Sequence, residues 1–372
     1  MSGTASGQGP RDGPSPSWFI AEKGHIAGIG TGAVPDGAAP LGDGIAAPGL
    51  VDLQINGVDD IEFATAEPPT WIIAMRRLAK RGVTACCPTI VTQPLDAYGP
   101  LLRRAAVARE AAADDPVAAK IIGIHLEGPF LGAAPGAHRA ESICAVDLHW
   151  LQRLVGEFGS LITMVTLAPE ADPDLAAVRF LRDSGVIVAL GHSLASFDEA
   201  RAAADAGASM VTHLFNAMGP WHHREPGLIG AALDDQRLTP SVIADLCHVH
   251  PGALRLVAKH KPSAIVVSDA VARGSASFDG SVVAFRDGAA YSGDGLLCGA
   301  TVLLDGAVRN LVGAGISPAR AIEMASTVPA ALIGDATRGR LAPGARADIV
   351  TFEPTTLSIR KVWLGGVEIQ PQ

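Results

Sequence analysis

The chain has 372 residues, enough for one large domain of about 250 residues and a smaller appendage. Its 48% apolar content supports a sizeable core, and 18% charged residues are too few for a solvated, disordered chain. A net charge of −9 excludes general attraction to nucleic acid or anionic membrane, so an anionic substrate would need cations gathered locally.

Residues 1–17 are rich in Gly, Ser and Pro and are expected to form a mobile tail without a hydrophobic signal core. Residues 18–30 (WFIAEKGHIAGIG) read as a β-hairpin with Lys23 and Gly24 at its turn. Matching strand material lies at the far end, in residues 347–354 (ADIVTFEP) and 357–369 (LSIRKVWLGGVEI). Residues 18–47 and 340–372 are therefore expected to pair into a small β-sandwich, with the catalytic unit, residues 48–339, inserted between them.

Eight short apolar runs follow: 49–56 (GLVDLQIN), 84–90 (TACCPTI), 121–127 (IIGIHLE), 164–170 (MVTLAPE), 186–193 (VIVALGHS), 210–216 (MVTHLFN), 241–248 (SVIADLCH) and 264–269 (AIVVSD). Helix-like stretches separate them, most clearly at 69–81, 96–113, 145–157, 173–184, 196–206 and 251–260. Strands alternating with helices argue for a parallel sheet, and eight repeats favour an α/β fold closed as a (β/α)8 barrel of TIM type. An open, doubly wound sheet is the alternative. Two segments break the rhythm, 131–142 (LGAAPGAHRAES) and 217–230 (AMGPWHHREPGLIG), and both have the character of lids or substrate-contacting loops. No run of 18 or more apolar residues occurs.

The cysteines, Cys86, Cys87, Cys144, Cys247 and Cys298, are odd in number and show no CxxC spacing, which points to a reducing, cytoplasmic setting. Adjacent Cys86 and Cys87 would face opposite sides of one strand.

Gln54, Asn56, Glu127, His192, His213, Asn216, His248 and Asp269 fall at or near the carboxyl ends of the apolar runs. A polar side chain is costly inside a buried strand but not at the open rim of a barrel, where barrel enzymes build their sites. Glu127, His192 and His213 form a carboxylate and two imidazoles, a donor set that zinc uses with a position left open. A lone strand histidine is more often a hydrogen-bonded core residue; three donors at matching strand ends are harder to attribute to packing. His125 shares the face of Glu127 and reads as a supporting or packing residue more readily than as an extra ligand.

The motifs HLEGPF (125–130), GHS (191–193), THLFNAM (212–218) and SDA (268–270), with APGLVDLQING (47–57) and GRLAPGARADIV (339–350), resemble the N-acetylglucosamine-6-phosphate deacetylase family of the amidohydrolase superfamily. The resemblance covers all but the first ~17 residues, the compositional tail. It implies Glu127, His192 and His213 as ligands of one divalent metal, most readily Zn2+ with Fe2+ or another ion as alternatives. Asp269 would be the acid–base that moves a proton from water to the departing amine, and His138 would polarise the carbonyl or hold the sugar, unless it is simply an exposed loop residue. Many amidohydrolases carry HxH on the first strand and hold a second metal there; the equivalents here are Gln54 and Asn56, amides that ligate poorly and are expected to hydrogen-bond around a mononuclear site. Arg224 would bind the phosphate of a phosphosugar by reaching into the partner's site across a homodimer, with His248, Asn216 and Ala217 at the same end and His222 and His223 nearby. An ordinary surface ion pair with Glu225 is the other reading of Arg224.

The expected activity is removal of the acetyl group from N-acetylglucosamine 6-phosphate. The segments AVARGSASFDG (270–280) and LLCGATVLL (296–304), around Arg273 and Gly299, depart from the family pattern, so a related N-acetylhexosamine phosphate is an alternative substrate. Hydrolysis of an N-acyl amino acid or cyclic amide, and a non-catalytic sugar-phosphate binding protein, are the remaining rivals.

Overall fold

The computed structural model describes residues 17–273, 283–293 and 295–371. The tail expected at 1–17 lies outside these residues except for Ser17, as does most of the segment 270–280.

Eight parallel strands make the central layer. They are β1 (Leu50–Ile55), β2 (Val83–Val91), β3 (Ile124–Glu127), β4 (Ile162–Leu167), β5 (Ile187–Leu190), β6 (Met210–Val211), β7 (Thr239–Ile243) and β8 (Ile265–Val267). Each pairs in parallel with the next, so spatial order equals chain order, which an open doubly wound sheet does not show. The β1–β8 seam has no regular ladder. Asp269 N donates to Gln54 O at 2.9 Å and Asn56 N to Ala270 O at 2.8 Å. Below these bonds the buried Asp52 carboxylate accepts from Ser268 N at 3.2 Å and Gln54 N at 3.3 Å, completing a nearly closed barrel.

Side chains alternate across this wall because successive residues of a strand point to opposite faces. Val51, Leu53, Cys87, Met164, Met210 and Ile265 fill the barrel interior. Cys86 lies with Trp71, Met75 and Leu78 in the outer layer under the helices. The surrounding helices include Pro68–Lys80, Tyr98–Asp114, Leu148–Phe158, Ala176–Asp183, Phe197–Ala206 and Pro251–His260. Phe197–Ala206 starts with a reciprocal cap: Ser196 Oγ accepts from Glu199 N while the Glu199 carboxylate accepts from Ser196 N.

Both termini contribute the antiparallel layer. Val367–Ile369, Ile359–Leu364, Ile349–Phe352 and Ile45–Pro48 pair in that order, beside a three-stranded sheet of His25–Gly30, Trp18–Glu22 and Ala39–Pro40. Phe19, Ile26, Leu41, Ile349 and Trp363 form a core between them, with the Phe19 and Trp363 rings edge to face at 5.4 Å. Lys23 and Gly24 turn the hairpin with positive φ at both positions, matching the right-handed twist of its strands.

Two segments depart from the sequence reading. Part of the loop expected at 217–230 is helical, because Gly227–Asp234 buries Leu228, Ile229, Ala231 and Ala232. After β8 an antiparallel unit forms from Ala284–Arg286, Ala289–Tyr291 and Leu297–Ala300, where no strands were expected. Its short, weakly apolar strands leave little periodicity to detect. No helix among the described residues is long and apolar enough to cross a membrane.

Candidate metal and catalytic site

The strand ends are bent to aim their side chains inward. His192 (φ 49°), His213 (φ 31°) and Asp269 (φ 47°) all take left-handed backbone that non-glycine residues avoid. Each such residue costs on the order of 1–3 kcal/mol and persists only where its surroundings hold it. The bend at His213 also explains why β6 stops at Val211, although the apolar run continues to Asn216.

Glu127 leaves β3 at the centre of the rim and is 3% exposed. Its Oε1 lies 3.0 Å from His213 Nε2, 3.3 Å from His192 Nε2 and 3.0 Å from Gln54 Nε2. The two imidazole Nε2 atoms are 3.1 Å apart. Among the described residues these three form the one group of His, Cys, Asp and Glu side chains with donor atoms close enough to share a metal ion, all within 4.8 Å. His192 Nδ1 lies 3.1 Å from Pro135 O, an acceptor only, so Nδ1 carries the hydrogen and Nε2 presents its lone pair. Two buried imidazoles pointed at one carboxylate oxygen need a proton or a cation among them, and the donor set fits a divalent metal of the zinc type.

The pKa shifts follow from this crowding. Burial works to raise the Glu127 carboxyl, but hydrogen bonds from His192 and His213 outweigh it and hold it well below the ordinary value. Burial works to lower His213, and the Glu127 carboxylate overcomes it and raises that imidazole.

Gln54 and Asn56, on the seam strand, present amide N–H groups rather than lone pairs to the carboxylates. Gln54 Nε2 bridges Glu127 and Asp269 Oδ1 (3.1 Å), and Asn56 Nδ2 donates to Asp269 Oδ1 at 2.9 Å. Asp269 is pushed up to about 6, first by burial and then by the Glu127 charge, against His213, His248 and the Asn56 bond.

His138 comes from the loop after β3. Its side chain is 8% exposed, with Nε2 3.9 Å from Glu127 Oε2 and Nδ1 2.9 Å from Thr92 Oγ1. Its ring meets His192 edge to face at 4.3 Å. Burial and the neighbouring His192 hold it down at about 3, so it is neutral. His248 has a side chain 4% exposed and its Nδ1 lies 2.6 Å from Asp245 Oδ2.

His125 lies below this cluster and outside it. Its Nε2 meets Thr166 Oγ1 at 2.7 Å, and Thr166 Oγ1 meets Thr212 Oγ1 at 2.7 Å, a buried polar layer within the barrel. Asn216 Nδ2 donates to His213 O at 3.1 Å, and Ala217 takes left-handed backbone. Arg224 is exposed, its Nη1 2.9 Å from His223 Nε2, and it makes no ion pair with Glu225. The structure therefore gathers Glu127, His192, His213, Gln54, Asn56, Asp269 and His138 at one point and leaves Arg224 exposed at the surface.

Three supporting residues escaped the sequence reading. Thr92 positions His138, Asp245 positions His248, and Glu170 accepts from Ser193 Oγ (2.6 Å) and Leu194 N (2.8 Å) behind His192. Asp245 and Glu170 both lie just past strand ends, the signal that had identified the others.

Residues 45–369 match the amidohydrolase family model. The chain is 35% identical over 328 residues to an N-acetylgalactosamine-6-phosphate deacetylase of Escherichia coli O157:H7, covering 86% of each. It is 35% identical over 353 residues to an N-acetylglucosamine-6-phosphate deacetylase of Bos taurus, covering 90% of this chain and 85% of that one. The fold is similar to the crystal structure of N-acetylglucosamine-6-phosphate deacetylase from Pasteurella multocida, with a TM-score of 0.87 at 29% identity over 95% of both chains.

Proposed function

This chain belongs to the amidohydrolase family, and from that premise we propose that it hydrolyses N-acetylglucosamine 6-phosphate to glucosamine 6-phosphate and acetate. The observation that carries the reading is the Glu127, His192 and His213 group at the barrel rim with Asp269 beside it. Relatives at 35% identity named as deacetylases of N-acetylhexosamine 6-phosphates supply the substrate class, and the Bos taurus relative is named for the glucosamine derivative.

Glu127, His192 and His213 would hold one divalent ion per chain, zinc being favoured by two imidazoles and a carboxylate. When bound, such an ion supplies Lewis acidity to the acetamide carbonyl and acidifies an attacking water. Gln54 and Asn56 support a single ion, because both aim amide N–H groups at the carboxylates and a neutral amide oxygen is a poor ligand beside an imidazole.

Asp269 accepts the proton of the attacking water and returns it to the amine nitrogen as the C–N bond breaks. Burial and the Glu127 charge raise this carboxyl, which helps it hold the proton between the two halves of the transfer. Gln54 and Asn56 hold the carboxylate through Oδ1 and so keep Oδ2 for the proton. His138, neutral and oriented by Thr92, is assigned to the acyl oxygen.

The sugar phosphate is assigned to His248, Asn216, Ala217 and the Arg224 of a second subunit. An exposed guanidinium with no carboxylate partner among the described residues supports that role, because in an acidic protein it keeps its charge for an external anion. The reading makes the protein a homodimer. Five free cysteines support a reducing, cytoplasmic setting.

N-acetylgalactosamine 6-phosphate is a second reading, favoured by the E. coli relative at 35% identity. Acetate release should be measured on both hexosamine phosphates and on free N-acetylglucosamine. Turnover of the glucosamine derivative far above the other two supports the first reading. Preference for the galactosamine derivative establishes the second, and equal turnover of the free sugar rejects the phosphate assignment.

A further inference from the structure

At the opposite end of the barrel, a cleft of about 800 Å³ opens between the amino-terminal ends of β3, β4 and β5 and the antiparallel layer. That volume falls within the range of small-molecule sites, which favour such junctions between layers. Arg109, Lys120, Arg338 and Arg346 line it, with Asp335 as the one lining carboxylate among the described residues.

The charges there do not balance. Arg346 forks onto the buried Asp348 through Nε (2.7 Å) and Nη2 (3.4 Å). Arg338 pairs with Asp335, and its buried Nε lies 3.8 Å from the already occupied Asp348 without a hydrogen bond. Lys120 gives its ammonium hydrogens to the carbonyls of Ala112, Ala113 and Asp115 at 2.8, 3.1 and 2.6 Å. Arg109 donates to Ser160 O at 2.7 Å. Asp115, whose carbonyl accepts from Lys120, is bridged to Arg76 at 2.7 Å through its carboxylate. Four cations against Asp335 and Asp348 leave two positive charges in one cleft of a chain whose net charge is −9. Burial lowers the Lys120 pKa first; Arg346 and Arg338 add to the fall, while Asp115 and Asp348 oppose it.

We propose that this cleft is a second ligand site, built for the dianion of a small phosphate monoester. The guanidiniums of Arg109 and Arg338 take the phosphate, since each retains N–H groups beyond those already used and a planar fork matches phosphate oxygens. Ile333 and Val367, which also line the cleft, cover the carbon frame. The site shares no residue with the Glu127 cluster and does not depend on which substrate is hydrolysed there.

The test is equilibrium dialysis of the purified protein with radiolabelled inorganic phosphate, counting bound phosphate per chain. The parent is compared with an Arg109→Gln/Arg338→Gln double variant and an Arg109→Gln single variant. The double variant should bind one phosphate fewer than the parent, while kcat and KM for acetate release stay unchanged. Loss of Arg109 alone should weaken that phosphate roughly tenfold, the effect of removing a charge-assisted hydrogen bond, and it is the decisive arm if the double variant does not fold. Equal phosphate counts and affinities in parent and variants, whether zero or more, overturn the proposal.

Discussion

Gln54 Nε2 lies 3.1 Å from Asp269 Oδ1 and 3.0 Å from Glu127 Oε1, so one amide spans the two carboxylates across the barrel seam. The bridge separates their roles. Glu127, held ionised by two imidazoles, is suited to a cation; Asp269, raised to about 6, is suited to carrying a proton.

Asp269→Asn is expected to lower kcat by about 10²–10⁴-fold, the usual size of an acid–base contribution, while bound metal stays near the parent level. In the parent, kcat/KM should fall as pH drops through about 6 or lower, because the working form is the carboxylate and a bound cation pulls its pKa further down. A pH–rate profile with metal analysis checks both. Unchanged turnover in the variant removes Asp269 from the mechanism.

Asp52 is fully buried, joins the seam through Ser268 N and Gln54 N, and is pushed up to about 7 by burial. A carboxyl whose folded pKa lies above its unfolded value binds more protons in the native state between the two values. Its contribution therefore favours folding at low pH and weakens as pH rises from about 4 to about 7, by up to roughly 4 kcal/mol. Asp52→Asn keeps an acceptor for both N–H groups and cannot ionise, so its stability should fall less over that window. Denaturant titrations at several pH values read the difference, and parallel curves would refute the assignment.

Arg224→Ala should raise KM for the phosphorylated sugar more than it lowers kcat, since it removes binding shared by ground and transition states. If Arg224 serves the neighbouring subunit, mixing this variant with Asp269→Asn and allowing subunit exchange restores one intact site per mixed dimer. Recovery of acetate release in the mixture, against none from either variant at low substrate, supports the shared site; no recovery after verified exchange contradicts it.

Gly299 sits at φ 114° beside Asp269, to which the proposed function gives the acid–base role. A Cβ there would lie 2.6 Å from Val271 Cγ1 and 3.0 Å from Asp269 O. Gly299→Ala should cost about 1–3 kcal/mol of stability and lower kcat by displacing Asp269. Thermal denaturation and steady-state kinetics measure the two effects.

Much of the barrel was legible because each buried parallel strand is a short apolar run, and its polar end residue has no place except the rim. Glu127, His192, His213 and Asp269 stood out for that reason. What sequence periodicity could not carry is the backbone reversal at His213, which ends β6 early, and the antiparallel unit at Leu297–Ala300, whose short strands have weak alternation. Thr92 and Asp52 were hidden because a buried hydroxyl or carboxyl acquires meaning only from the partner that folding brings to it. The basic cleft was invisible for the same reason: its cations come from segments more than 200 residues apart, as Arg109 and Arg346 show.

The most direct measurement is elemental analysis of purified parent protein beside Glu127→Gln and His213→Ala variants, each with acetate release followed on N-acetylglucosamine 6-phosphate. One divalent ion per parent chain, lost together with turnover in both variants, is the predicted result. Undiminished metal content in the two variants, or full turnover by parent protein stripped of its ion, would contradict the central claim.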